Sequence, residues 1–368
     1  MSPTESRRRA LALLLADDGL DGLLVTDLIN IRYLTGFTGS NAALLVAAAG
    51  DDESIFCTDG RYEAQSAAEV PDLPSRIDRP SALALVSTAT GQIGFESRAV
   101  SVADHALQVR AAPPGVELVG TPDLVEQLRA VKDPGEIDAL RTACGVADRA
   151  LADLIDSGDM RPGRTEREVG LDLDERMRRL GASDPAFETI VAAGKNSAIP
   201  HHRPTSRPLA VGDLLKLDFG AAVSGYHSDM TRTFVLGRPA DWQLEIYALV
   251  LLAQSTGRGA AVVGATGGQV DAAARDVITA AGYGPRFAHG LGHGVGLQIH
   301  EAPSLGPGST GIIGADMCVT VEPGVYLPGR GGVRIEDTGV VRASSSDPDS
   351  VGLGYEVLTL TSRDLIVL

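Results

Sequence analysis

Leu214-Leu215-Lys216-Leu217-Asp218-Phe219-Gly220 sets a carboxylate in a stretch that is otherwise apolar apart from Lys216, and Val319-Thr320-Val321-Glu322-Pro323 does the same with a glutamate. Both read as buried strands, where a carboxylate without a counter-ion carries a large cost or takes up a proton. Working outward, Asp229 follows Asp218 by eleven positions with Gly220 and Gly225 between, and Glu336 follows Glu322 by fourteen around Gly329-Arg330-Gly331-Gly332. Each spacing suits a hairpin. The first would set Asp218 opposite Asp229 on adjacent strands, and the second would bring Glu322 and Glu336 onto one face. Alternation along a strand further predicts that Lys216 points with Asp218, and Arg334 with Glu336. Ahead of and between these hairpins lie stretches of helical spacing, so the order is helices, strands, helices, strands. That segregation favours an antiparallel sheet with helices on one face, an α+β fold, over a doubly wound parallel sheet.

His293 stands in Gly290-Leu291-Gly292-His293-Gly294-Val295-Gly296, where glycines let backbone approach closely. With it, Asp218, Asp229, Glu322 and Glu336 form a set of five candidate metal ligands. Carboxylate oxygens with one imidazole suit Mn²⁺, Co²⁺, Fe²⁺ or Zn²⁺, and the lack of a thiolate argues against a closed structural zinc site. Such a set is too large for one open catalytic ion, but it fits two ions about 3.5 to 4 Å apart if two carboxylates bridge. A pair of that kind acidifies a shared water and polarises a carbonyl, which is the chemistry of metal-assisted hydrolysis. The glycine run never gives G-x-G-x-x-G, and G-x-S-x-G and H-E-x-x-H are absent. His201, His202 and His300 remain as donors for an oxyanion.

The 368 residues are 44% hydrophobic and 22% charged, which suits about two soluble domains. A net charge of −16 argues against sequence-independent nucleic-acid binding, and part of it would be cancelled by the ions. No stretch reaches the roughly 18 apolar residues of a membrane span. Arg7-Arg8-Arg9 before Ala10–Ala16 looks like the start of a signal peptide, but Asp17-Asp18 ends it early, and a helix with Pro3 near its start is expected instead. Cys57, Cys144 and Cys318 form no Cys-x-x-Cys pair, so a reducing, cytoplasmic compartment is expected.

Residues 1–130 read as alternating helices and strands, with strands at Gly22–Val25, Ala42–Val46, Ile55–Thr58 and Gln92–Phe95. This suggests a layered α/β domain. A second domain, 131–368, would open at Asp133-Pro134, which caps a long helix; another helix starts at Thr165 with a Thr165/Glu168 capping box, and two more run at about 240 to 260 and 267 to 281.

The stretches around Asp218, Asp229 and His293, with Glu322-Pro323-Gly324-Val325-Tyr326 and Arg334-Ile335-Glu336-Asp337, resemble the proline-specific pita-bread metallopeptidases, the family of aminopeptidase P and prolidase. Tyr33 to Asn41 and Thr58-Asp59-Gly60-Arg61-Tyr62 are similar to its creatinase-type N-terminal domain. Short actinobacterial Xaa-Pro peptidases are the most similar members. The resemblance implies a pita-bread catalytic domain holding two divalent ions, Mn²⁺ foremost. Asp218 would chelate one ion and His293 with Glu322 the other, while Asp229 and Glu336 bridge. Glu322 would also act as general base, with His201 and His300 assisting at the scissile carbonyl. His289 would line the substrate pocket and Arg334 would support the bridging carboxylates. The substrate would be a peptide with proline second, and the assembly a homodimer.

Hydrolysis of the Xaa-Pro bond at the N-terminus of longer peptides, by an Xaa-Pro aminopeptidase, is the expectation. The alternative is a prolidase confined to Xaa-Pro dipeptides. A metal-independent creatinase-like hydrolase or a non-catalytic scaffold would not need all five ligands. The choice between substrates turns on a cation that could receive a dipeptide's carboxylate, for which Arg61, Arg203 and Arg330 are candidates.

Overall fold

A computed structural model of the chain describes residues 2–343 and 354–368. It divides into two compact units, Met1–Arg129 and Ala130–Leu368. The first is built on a six-stranded sheet in the order Ser75–Ile77, Ile55–Thr58, Ala42–Ala47, Gly22–Val25, Gln92–Glu96, Glu117–Thr121. The central hairpins are antiparallel and the outer pairings parallel, with helices in the crossovers. The sequence reading lacks the two outer strands. Both are edges carrying charge, Arg76 on one and Glu117 on the other, so neither shows a buried strand's apolar run.

Helix Pro3–Asp17 starts at a Ser2/Glu5 capping box with Pro3 in its first turn. Arg8, from the basic triplet, is buried against Asp51 and Asp72 at 2.7 Å each. In the same unit, Ser40 bonds to the Tyr62 hydroxyl at 2.5 Å and Asn41 to Asp59 at 2.8 Å, so the loops around 40 and 60 are tied together.

The second unit has two halves of similar build. In the first, helices Pro134–Asp156 and Glu166–Arg179 pack on strands Ile190–Ala193, Leu214–Phe219 and Met230–Val235 through Leu151, Leu173, Met177, Leu217 and Phe234. In the second, helices Asp241–Ala260 and Gly267–Ala280 cover the strands that run from Gly292 to Val341 through Val250, Val270, Ile278, Val319 and Ile335. Among the described residues the paired strands of this unit run antiparallel, apart from an isolated parallel bridge between Val235 and Val367. Among the described residues, no helix is long and apolar enough to cross a membrane.

Alternation places the site. Leu215, Leu217 and Phe219 enter the helix-side core, which turns Lys216 and Asp218 to the opposite face. Val333 and Ile335 do the same for Arg334 and Glu336. The two hairpins differ in register. Asp218 pairs with Thr231, not Asp229, because residues between the strands form a smaller hairpin, Ala221–Val223 with Tyr226–His227. Asp229 is therefore diagonal to Asp218 and just ahead of its strand. In the other hairpin, Val321 pairs with Asp337 and Gly324 with Arg334. Both ladders keep one register, so Glu322 and Glu336 fall opposite each other in the gap between them. The turn there is confined to 328–330, and Gly331 and Gly332 already belong to strand Gly331–Arg334.

Candidate metal centre

The donor-bearing segments are hydrogen-bonded to one another. The Glu322 N–H donates to the Leu291 carbonyl at 2.8 Å, the Glu336 N–H to the Thr231 carbonyl at 3.1 Å, and the His293 N–H to Thr320 Oγ1 at 3.2 Å. Close approach here needs glycine: a Cβ on Gly292 would lie 2.0 Å from the Thr320 carbonyl oxygen, and one on Gly294 2.1 Å from that of Ala302.

Asp229, His293 and Glu336 each offer a ligand atom, and these atoms lie within 4.8 Å of one another. His293 Nε2 is 3.5 Å from both Asp229 Oδ2 and Glu322 Oε1. Its Nδ1 donates to the Gly294 carbonyl at 3.0 Å, which leaves the Nε2 lone pair facing the acids. Asp218 turns one oxygen to Arg334, while its other oxygen is buried without a hydrogen-bond partner. All five predicted ligands and Arg334 line one cavity of about 300 Å³, with Phe187, Ile190 and Ile299 as an apolar wall.

Burial, and then repulsion from Glu336, Asp218 and Glu322, drives the Asp229 carboxyl well above its ordinary range. Burial, with Glu322 and Asp218 adding to it, does the same to Glu336. Burial also pushes Glu322 up to about 8 despite Arg334. Burial lowers His293 to about 4, so its imidazole is neutral at pH 7. Several acids crowded beside a neutral imidazole hold protons that divalent cations would replace. The orphaned Asp218 oxygen and the oriented His293 lone pair fit the same group.

His201 and His300 line the cavity, and the His300 ring meets His293 edge-on at 4.4 Å. The neighbouring His202 also lines the cavity, but its Nε2 is tied to buried Glu166 at 2.9 Å. Of the doublet, His201 is thus the ring free to act toward the cavity. His289, expected in the substrate pocket, is not among the residues lining it. Its Nδ1 donates to the Gly290 carbonyl and its Nε2 accepts from the Tyr326 hydroxyl, each at 2.8 Å. That hydroxyl accepts from Arg334 at 3.0 Å, so His289 ends a bonded row running through Tyr326 and Arg334 to Asp218. Arg334 also donates to Thr231 Oγ1 at 2.9 Å, and Thr231 Oγ1 to Glu336 at 2.6 Å.

Of the three candidate arginines, Arg203 lines the cavity, 3.1 Å from Glu188. Arg330 stacks over Trp242, and Arg61 is paired with Asp59 in the first unit. Sequence reasoning assigns Tyr326, Thr231 and Glu166 no part in the site. The first two lie an even number of residues from Glu322 and Asp229, which is a usable signal; Glu166 looks like an ordinary acid in a helix's first turn.

Residues 138–343 match the description Metallopeptidase family M24, and residues 7–131 match Creatinase/Prolidase N-terminal domain. An Xaa-Pro dipeptidase of Pyrococcus furiosus is 32% identical over 98% of this chain and 100% of its own. The structure of an Xaa-Pro dipeptidase from Bacillus anthracis superposes with a TM-score of 0.92 at 36% identity, covering 99% of this chain and 100% of that one. The X-Pro aminopeptidase of Thermotoga maritima gives 0.86 at 32% identity, covering 95% and 98%. With a creatinase-type unit followed by a pita-bread catalytic unit, the chain belongs to metallopeptidase family M24, whose chemistry calls for divalent metal ions.

Proposed function

We propose that the chain is an Xaa-Pro dipeptidase, a prolidase, working with two divalent ions, for which Mn²⁺ suits the carboxylate-rich donor set best. The observation that carries the metallopeptidase part of this reading is the convergence of four carboxylates and one neutral imidazole on a small cavity with an apolar wall. Relatives named Xaa-Pro dipeptidase match the chain almost end to end, and Arg203 offers a cation in the cavity wall for a dipeptide's free carboxylate. These points favour dipeptides over the longer peptides that the sequence alone suggested. The aminopeptidase reading keeps the support of the similar Thermotoga protein.

In this reading Asp218, Asp229, His293, Glu322 and Glu336 would hold the ions. The ions, when bound, would supply Lewis acidity and an acidified water. Glu322 accepts a proton from the attacking water as general base. His201 and His300 donate N–H groups to the oxygen of the carbonyl under attack. Phe187, Ile190 and Ile299 receive the proline ring, whose nitrogen carries no N–H for an ordinary backbone-gripping peptidase to hold. Arg334 keeps Asp218 in place and Thr231 keeps Glu336. The three cysteines are free and buried, which supports a reducing, cytoplasmic setting.

The test compares Gly-Pro with Gly-Pro-Gly on Mn²⁺-loaded protein. The dipeptide is expected to win in kcat/KM by about tenfold or more. A reversed ratio would favour the aminopeptidase, and two unchanged peptides would remove both.

A further inference from the structure

Lys216 is a lysine buried in the strand that carries Asp218, with no exposed surface, between leucines at 215 and 217. An apolar residue would fill such a position without the cost of desolvating an ammonium. The ammonium is spent on backbone. It donates to the carbonyl oxygens of Ile199 at 2.8 Å and Pro200 at 3.1 Å, and it lies 5.0 Å from the centre of the Tyr326 ring. Those carbonyls belong to the two residues immediately before His201.

The rest of that loop is held from another side. Glu166 accepts from the Ala193 N–H at 2.8 Å, Asn196 at 2.9 Å, the Thr205 N–H at 3.0 Å and the Thr205 hydroxyl at 2.6 Å, besides His202. Glu166 therefore holds the loop at 193, 196, 202 and 205, the Gly332 N–H holds Ser197 at 2.9 Å, and Lys216 holds the two residues just before His201. Arg334 adds one bond to the Pro200 carbonyl at 3.2 Å, but the Ile199 carbonyl would lose its Lys216 donor outright. We propose that Lys216 is a positioning residue for His201: it ties the middle of the 193–205 loop to the Asp218 strand, so that imidazole and metal centre keep a fixed separation. This rests on the role given to His201 above, and it adds the device that sets where that ring stands.

The test uses Lys216→Met, which keeps length and packing, in the wild-type and His201→Ala backgrounds, with a dipeptide as substrate. Lys216→Met is expected to lower kcat about tenfold or more in the first background, with KM and metal content held within about twofold. In the His201→Ala background it should change kcat by less than about twofold, because the ring it positions is gone. On metal-free protein, amide hydrogen exchange of residues 199–203 should speed up while residues 214–219 stay protected. Equal losses in both backgrounds, loss of metal, or unchanged exchange would each overturn the proposal. If Lys216→Met does not fold, Lys216→Gln, which can still donate to one carbonyl, goes through the same cycle and should give a smaller effect of the same pattern. The exchange arm needs no turnover, so it judges Lys216 even if the peptidase reading fails.

Discussion

Glu336 and Asp337 are adjacent and both buried, yet they stand in opposite electrostatic settings. Asp337 accepts from Arg232 at 2.8 Å, Thr359 at 2.9 Å, Gln254 at 2.7 Å and Arg363 at 3.0 Å, so both oxygens are met by donors. Glu336, on the other face of the chain, shares its cavity with Asp218, Asp229 and Glu322 and with Arg334. One cluster is closed, with its charge matched by arginine. The other has acid in excess, and that excess marks where cations belong. Burial alone does not separate the two; the inventory of partners does.

The sharpest way to break this contrast is to neutralise each residue in turn. Glu336→Gln should cut activity by about three orders of magnitude and reduce bound metal, since several kcal/mol of charge stabilisation goes with an ion. It should leave the metal-free protein as stable as before or more so, because a repelled carboxylate is removed. Asp337→Asn should do the reverse, costing about 3 to 5 kcal/mol of stability by stranding buried arginine, while the folded fraction keeps its metal. Calorimetry with elemental analysis reads both.

A second test uses pH. The Glu322 carboxyl is raised from 4.5 to about 8 in the metal-free protein, so across that window the folded state binds more protons than the unfolded state. The contribution of Glu322 to stability is therefore fully present below about pH 4.5 and is lost as pH climbs to about 8. Metal loading at pH 7 should release protons and flatten the decline. Denaturant melts of wild type and Glu322→Gln at several pH values, with and without Mn²⁺, would show it, and identical metal-free profiles for the two proteins would count against the acid excess.

The contrast of satisfied and unsatisfied groups recurs on a smaller scale in the histidine doublet. His201→Ala should lower kcat about a hundredfold with little change in melting, the usual worth of one donor at a developing oxyanion. His202→Ala should instead lower the melting temperature, because Glu166 loses a buried partner. The smallest effect belongs to the arginines. Arg334 is committed on every side, whereas Arg203 has only its bond to Glu188 described. Arg203→Ala should raise KM for Gly-Pro about tenfold and leave Gly-Pro amide unchanged, the value of one charge-assisted hydrogen bond.

Much of the candidate site's geometry was legible because strand alternation is strict. Lys216 with Asp218, and Arg334 with Glu336, share faces as their spacing predicts, and the Glu322/Glu336 opposition follows from one hairpin. What sequence could not show is contact between segments that meet only in space. The diagonal offset of Asp229 depends on a small hairpin hidden in the 221–227 connection. The place of His289 depends on Tyr326, 37 positions away, and the anchoring of His202 depends on a glutamate one helix earlier.

The unbroken register across the 318–341 hairpin has a consequence for how such chains can vary in length. Residues added at the tip, between Leu327 and Gly331, only lengthen the loop, and both arms still run back to set Glu322 against Glu336. A single residue added between Gly331 and Glu336 would instead exchange the faces, turning the Asp337 side chain toward the cavity and Glu336 toward the arginines. Length variation in this half of the molecule should therefore collect at the tip and be barred from the arms, and a library of one-residue insertions from 324 to 336 would map that boundary by activity alone.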